Sequence, residues 1–286
     1  MKFERFSVAM SVYFNDKPED VRIAFDSILE RQTVKPSEIF LVIDGPISPA
    51  LDAVILEYES RYPSLFTLLR LEQNGGLGRA LALAVEGCRY PMIARMDSDD
   101  IALPDRFEQQ LRYFRANPEV DIVGGDINEF LSTTGKMVGR RAVPRSDVWI
   151  KRYMKKRCAM NHMSVMFRRE AVLQAGNYID FFWNEDYYLW IRMMRRGCVF
   201  ANTGTVLMNV RVGPEMYRRR GGKRYWESEK RLQKYMLNRH IIGPWRYLLN
   251  VSQRFIVQRV LPDCIRGWVF RVFARKRVRA SDRMEQ

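Results

Sequence analysis

The sequence predicts an α/β protein: a Rossmann-like, mainly parallel sheet flanked by helices, followed by a basic helical extension. Three observations carry this expectation. Short apolar runs alternate with amphipathic stretches over the first 125 residues, the pattern of strands joined by crossover helices. Acidic or glycine-rich segments follow several of these runs, as ligand-facing loops do at the carboxyl edge of such a sheet. The charge is also lopsided: residues 1–204 hold 28 Lys and Arg against 27 Asp and Glu, and residues 205–286 hold 20 against 6.

Phe6–Phe14 reads as the first strand. Asp16-Lys17-Pro18-Glu19 opens a helix with Val21, Ala24, Phe25, Ile28 and Leu29 on one face. Ile39–Ile43 is a second strand, ending in the turn signal Asp44-Gly45-Pro46. Leu51, Val54, Ile55 and Tyr58 mark a second helix. Leu65–Leu71 is a third strand, followed by Asn74-Gly75-Gly76-Leu77-Gly78 and a helix over Ala80–Val85. Pro91–Met96 is the fourth strand; a helix with Phe107, Leu111 and Phe114 and a strand at Val120–Val123 come next. From 126 to 204 the alternation fades, with helices expected at Val148–Tyr153 and Asn184–Arg196 and extended chain at Met163–Phe167 and Val206–Val212. The expected division is 1–125, 126–212 and a tail at 213–286, with the first boundary a change of subdomain inside one compact body.

Composition removes several classes. With 286 residues, 47% of them hydrophobic, the chain can bury a sizeable core and is not disordered. Cys88, Cys158, Cys198 and Cys264 lie far apart and form no CxxC pair, which fits a reducing compartment and neither a zinc site nor a disulfide scaffold. No signal-peptide pattern and no apolar run of about 18 residues is present, so a cytoplasmic location is expected.

The richest segment is Ile93-Ala94-Arg95-Met96-Asp97-Ser98-Asp99-Asp100. Three carboxylates in four residues repel one another at a strand end, and a cation, metal ion or hydroxyl-rich ligand is expected to compensate them. A helix N-terminus would account for only one or two. Asp44, Asn74 and this cluster each follow a predicted strand and therefore converge on one sheet edge. Glu185-Asp186 is a second acidic pair; its bland alternative is N-terminal charge on a helix capped by Asn184.

Asp97-x-Asp99-Asp100, with Asp44 and Asn74–Gly78 upstream and Pro104-Asp105-Arg106-Phe107, Asn161-His162-Met163 and Glu185-Asp186-Tyr187-Tyr188-Leu189-Trp190 downstream, resembles the family 2 glycosyltransferases of the GT-A fold. The resemblance covers roughly residues 6–212 and is strongest to bacterial enzymes of capsule and exopolysaccharide assembly. It implies an inverting transfer of a hexose from a UDP-sugar to a saccharide, one carried on polyprenyl diphosphate. A hard divalent cation, Mn²⁺ or Mg²⁺, would bridge the leaving diphosphate. The resemblance assigns Asp99 as metal ligand, with Asp97 on the ribose or the metal; Asp100 faces the donor sugar or caps the next helix. It places Asp44 on the uracil, Ser11, Val12 and Tyr13 along the nucleobase, and Asn74, Gly75, Gly76, Arg79 and Arg95 on the nucleotide-sugar side. Tyr13 is equally an ordinary strand aromatic, and Arg79 a solvated helix residue. Asp186 matches the general base. Glu185, Trp183 and His162 fall on the acceptor side, with a structural role for His162 an equal alternative; Trp190, at helical spacing, reads as core.

Arg218-Arg219-Arg220-Gly221-Gly222-Lys223-Arg224 is either a solvated loop or one that closes on the diphosphate. Trp245, Leu248, Leu249, Phe255, Ile256 and Val260, and after Pro262 the set Ile265, Trp268, Val269, Val272 and Phe273, form two apolar stripes with arginines beside them. Such stripes suit the surface of an anionic membrane, met from its cytoplasmic face; packing on the body is the alternative. Two other classes weigh less. A sugar-nucleotide nucleotidyltransferase would carry a basic glycine-rich loop where Tyr13-Phe14-Asn15-Asp16 stands, and a nucleic-acid binder would not need aromatic stripes.

Overall fold

Strand β1 (Phe6–Val12) lies at the centre of a parallel sheet, paired on one side with β2 (Glu38–Ile43) and on the other with β4 (Met92–Arg95); β3 (Phe66–Arg70) pairs outside β2. The computed structural model describes residues 3–213 and 222–260. The crossovers are helices α1 (Pro18–Leu29), α2 (Pro49–Arg61) and α3 (Leu77–Gly87). Pro at the start of α1 and α2 sets the helical φ without wasting a donor. β1 and β2 are buried almost throughout, as expected of strands covered on both faces.

The sheet then changes character. Its full order is β3-β2-β1-β4-β8-β6-β9-β5, with β7 beside β6. β8 (Met166–Arg168) is antiparallel to both β4 and β6 (Ile122–Leu131), whereas β6 and β9 (Phe200–Val212) run parallel. The two-residue β5 (Ile101–Ala102) pairs antiparallel with β9, and β7 (Met137–Arg141) antiparallel with β6. Helices α4 (Arg106–Ala116), α5 (Asp147–Met154), α6 (Arg169–Gln174) and α7 (Glu185–Arg195) complete the body. The mainly parallel expectation therefore holds for the first half, and short antiparallel strands extend it. The boundary expected at 125 falls inside β6, which continues to Leu131.

Two apolar layers, one on each sheet face, form the core. One contains α1, α2 and α4 against β1–β3 and β9; the other contains α3, α5 and α7 and is closed by Leu232 and Met236 of α8 (Lys223–Asn238). Trp190 is fully buried in the second layer. The last described helix, α9 (Pro244–Phe255), lies on α8 and runs into one wider turn, Ile256–Val260. Arg218–Gly221 of the expected basic loop and the second stripe, Ile265–Phe273, lie outside the described residues.

Candidate active site

The parallel strands deliver their loops to one edge, and the acidic cluster sits there. Ligand oxygens of Asp97, Asp99 and Asp100 all lie within 4.8 Å of one another. Asp99 stands exposed, Asp97 half-buried and Asp100 buried. Burial, then the charges of Asp99 and Asp97, drives the Asp100 carboxyl well above its usual range. The surrounding protein and the Asp97 charge push Asp99 up to about 6. Three such oxygens fit a hard divalent cation, which would remove the repulsion that raises these values.

The chain compensates part of that charge itself. Arg95, fully buried at the end of β4, pairs through Nη2 with Asp97, while its Nε and Nη1 make no hydrogen bond within the protein. Arg106, the first residue of α4, is also fully buried and donates through Nη2 to the Arg95 carbonyl at 2.5 Å. Burial, then the Arg95 charge, lowers Arg106 to about 9. Arg211 of β9 donates its backbone N–H to Asp100 Oδ1 (2.9 Å) and its Nε to the Asp99 carbonyl (3.0 Å). Asp100 is thus a brace between the cluster and β9, and it caps no helix.

On the donor side, Asp44 is buried at the end of β2. Its Oδ1 accepts the Gly75 N–H at 2.7 Å and its Oδ2 the Gly76 N–H at 2.9 Å; Asn74 Nδ2 donates to its carbonyl at 3.0 Å. The expected nucleobase ligand therefore holds the shape of the loop beside it. Gly45 makes this possible: it has φ +88°, and a Cβ there would lie 2.6 Å from the Asn74 nitrogen. Val12 puts its side chain in the core and brings only its backbone to the edge, its carbonyl accepting from Asp44 N–H at 2.8 Å. Ser11 and Tyr13 are partly exposed there, and Arg79 is exposed with its side chain lying over Gly75.

Sequence reasoning misses Asp16. Its place before Pro18 suggests the start of α1, yet Lys17 occupies the cap position. Asp16 instead accepts from Tyr13 N–H (3.0 Å) and Ser98 Oγ (2.9 Å) through Oδ2. Burial raises its carboxyl to about 7, against those two bonds, with Asp99 and Asp97 adding to the rise. Its place just after β1 at the ligand edge is the available signal.

The second acidic pair opens α7. Glu185 is buried against the start of α3: a Cβ on Gly78 would touch its Cβ at 3.5 Å. Burial, then the Asp186 charge, raises the Glu185 carboxyl to about 7. Asp186 Oδ2 lies 4.0 Å from Cys158 Sγ. Asn184 provides no side-chain cap and instead donates to Ser228 Oγ of α8 at 3.1 Å. His162 Nε2 and Tyr178 Oη are 2.9 Å apart, and burial, then Arg95, holds the imidazole well below its usual pKa, so it is neutral. Trp183 has φ +56°, strained for a bulky residue, and is 45% exposed, stacked on Phe182. Arg224, expected in the basic loop, lies in α8 with its guanidinium 3.9 Å over the Phe182 ring.

The family model for glycosyl transferase family 2 matches residues 7–173, and a related group 2 model matches 92–275. The chain belongs to glycosyl transferase family 2. It is 38% identical to the amylovoran biosynthesis glycosyltransferase AmsE of Erwinia amylovora, over 90% of this chain and 96% of that protein. It is 33% identical to the UDP-Gal:alpha-D-GlcNAc-diphosphoundecaprenol beta-1,3-galactosyltransferase of Escherichia coli, over 95% and 97%. Among solved structures, S. aureus TarS aligns with TM-score 0.63 at 15% identity, covering 93% of this chain and 48% of that one. The mannosyltransferase PcManGT of Pyrobaculum calidifontis, in complex with GDP-Man and Mn²⁺, aligns with TM-score 0.61 at 13% identity, covering 95% and 76%. The fold is GT-A and the protein is a glycosyltransferase of polysaccharide biosynthesis. In this glycosyltransferase the two acidic sites share a neighbour: burial holds the Tyr178 hydroxyl high, the Arg95 charge lowers it, and the charges of Asp186, Glu185 and Asp97 add to the rise.

Proposed function

We propose that the enzyme transfers a hexose, with inversion, from a UDP-sugar to a saccharide carried on polyprenyl diphosphate at the inner face of a membrane. The observation that carries this reading is the three-carboxylate cluster at the strand edge, beside the loop that Asp44 holds. The names of its relatives, a UDP-galactose enzyme with a lipid-diphosphate acceptor among them, support the donor and acceptor classes.

Asp97 and Asp99 would hold Mn²⁺ or Mg²⁺, which supplies charge neutralisation to the departing nucleoside diphosphate. The loop Asn74–Gly76, shaped by Asp44, lines the nucleotide with Ser11 and Tyr13. Asp186 takes the proton of the acceptor hydroxyl as that oxygen attacks the anomeric carbon. The bond from that carbon to the diphosphate oxygen breaks, and its electron pair leaves with the nucleotide. Trp183 offers an exposed ring to the acceptor sugar. The carboxyl of Glu185, raised to about 7, favours a second reading in which it is the base.

Thermal shift against a panel of nucleotide sugars, with and without Mn²⁺, tests the donor and metal assignments. Metal-dependent stabilisation by a UDP-sugar is expected in the wild type and its loss in Asp99→Ala; identical curves with and without metal overturn the metal site. Asp186→Asn should keep UDP binding and lower transfer by about 10²–10⁴-fold. If Glu185→Gln shows that loss and Asp186→Asn does not, the base is Glu185.

The membrane contact belongs to α9. Its inward face is polar: Asn250 Nδ2 donates to the Lys155 carbonyl (2.9 Å) and to Gln233 Oε1 (2.8 Å), and Arg254 Nε to Glu229 Oε2 (2.5 Å). Arg254, expected as a flanking cation, is therefore engaged in the body. The outward face carries Trp245, Leu248, Leu249, Phe255 and Ile256, between 43% and 80% exposed. An apolar stripe turned from the body, with Arg246 beside it, suits an anionic bilayer. Among the described residues no helix is long and apolar enough to cross one.

A further inference from the structure

A groove runs along α5. It is lined by Pro144, Arg145, Ser146, Trp149, Arg152, Tyr153 and Lys156 and encloses about 410 Å³. Three cations line it and no carboxylate does. Asp147, the nearest acid in sequence, turns away: its Oδ1 accepts the Phe200 N–H at 2.9 Å and its Oδ2 meets Lys151 Nζ at 2.7 Å.

The two arginines are held in place. Arg145 lies so close against Gly204 that a Cβ there would collide with its Nε. Gly204 has φ +78°, so a side chain there would be doubly excluded. Arg145 spends Nη2 on the Gly204 carbonyl at 3.3 Å. The Arg152 guanidinium sits 5.1 Å over the Trp149 ring. Ser146 is the cap residue of α5 but makes no cap bond with its hydroxyl. Trp149, Arg152 and Tyr153 share one face of α5, with Ser146 at its cap and Lys156 just past its end, so the groove follows the helix, on the order of 12 Å for its eight residues.

Its position is as telling as its charge. The Lys156 end carries the carbonyls that bind α9, with Arg254 Nη2 donating to Lys156 at 2.8 Å. Two residues further along the chain, Cys158 Sγ lies 4.0 Å from the Asp186 carboxylate. The groove therefore ends beside the docked polar face of α9, and two residues along the chain from the thiol that approaches Asp186. A saccharide acceptor on a lipid must place its sugar at the base and its lipid in the bilayer, and its phosphates fall between.

We propose that this groove binds the diphosphate that joins the acceptor saccharide to its lipid, with Arg145, Arg152 and Lys156 as the phosphate ligands and Trp149 and Tyr153 as its apolar wall. The proposal rests on the lipid-linked acceptor read above. Guanidinium groups pair with phosphate oxygens through two parallel N–H donors, and two of the three cations are arginine.

The test compares wild type with Arg145→Gln/Arg152→Gln/Lys156→Gln, and with a control that removes three exposed cations elsewhere, Arg31→Gln/Lys230→Gln/Arg239→Gln. Inorganic pyrophosphate is titrated by calorimetry into each protein without metal, the condition in which the acidic cluster lacks the cation it needs to hold phosphates. Separately, KM and kcat are measured in detergent for a lipid-diphosphate saccharide and for the same saccharide on a neutral alkyl chain. The groove variant should bind pyrophosphate at least tenfold more weakly than the control and raise KM tenfold for the diphosphate acceptor, with KM for the neutral acceptor and kcat little changed. Equal changes in groove variant and control, or equal KM changes for the two acceptors, overturn the proposal. Loss of pelleting with phosphatidylglycerol vesicles at unchanged KM in detergent also overturns it, assigning the groove to bilayer phosphates instead. Wild type that transfers to neither acceptor refutes the underlying reading of the acceptor, independently of the pyrophosphate result.

Discussion

Asp44 and Glu185 are both buried carboxylates with opposite support: Asp44 has two backbone N–H donors, whereas burial and the Asp186 charge oppose ionisation of Glu185. Asp44 was legible as a residue of the ligand edge, since it follows an apolar run and precedes Gly-Pro. That its two carboxylate oxygens are both spent on Gly75 and Gly76 was not, because a partner 31 residues away leaves no local trace. Asp16 was hidden for a different reason: an acid before Pro18 is what any helix start looks like. Arg106 was visible only as part of a motif, and its burial beside Arg95 follows from the fold. Glu185 gives a prediction at this scale. Its carboxyl sits near 7 in the folded enzyme, above its ordinary 4.5. The folded state therefore binds this proton more tightly than the unfolded chain, and the stabilisation is present below about 4.5 and lost as pH rises through about 7. Glu185→Gln keeps the volume and removes the buried charge. Relative to wild type it should be more stable at pH 8 than at pH 5, by on the order of 2 kcal/mol, since each tenfold gain in proton affinity on folding is worth about 1.4 kcal/mol. Urea denaturation at the two pH values reads this, and an equal difference at both rules it out.

Among elements, α9 shows what periodicity can and cannot say. Apolar residues at helical spacing identify a helix face but not its neighbour, because a core and a bilayer ask for the same pattern. The answer lies in the opposite face, where Asn250 and Arg254 point inward and find carbonyls and a carboxylate. Replacing Trp245, Leu248 and Leu249 together with Ser should leave the thermal midpoint within a degree or two, as these side chains are half or more exposed and belong to neither core layer. Binding to anionic vesicles should fall at least tenfold, each fully buried large apolar side chain being worth about 1.5–3 kcal/mol. Retained vesicle binding in a sedimentation assay would place the membrane contact elsewhere. Strands were legible where they are long and apolar; the extended chain expected at Met163–Phe167 narrows to the three residues of β8, and β5, with two, carries no period to read.

At the scale of the molecule, the parallel half was predictable because each crossover repeats the same strand–helix grammar. The other half is held by β8, a single short strand that pairs with β4 on one side and β6 on the other. β6 continues six residues beyond the expected boundary and spends most of its length on β9. A fragment ending at 125 would expose this strand's remaining pairing edge and strip β4 of its neighbour. It should lack a cooperative urea transition, whereas the intact chain should unfold in one step by both far- and near-ultraviolet circular dichroism.

The three arginines around the acidic cluster have a consequence for recombination. They come from β4, α4 and β9, and only the first two lie within the segment that the family 2 model matches. A chimera that grafts another enzyme's residues 7–173 onto this chain would import the carboxylates while keeping the host's Arg211, and its clasp on Asp99 and Asp100 would depend on two parents agreeing in register along β6 and β9. A graft of that segment therefore keeps the acidic cluster braced only when it carries the end of β9 along with the acids it holds.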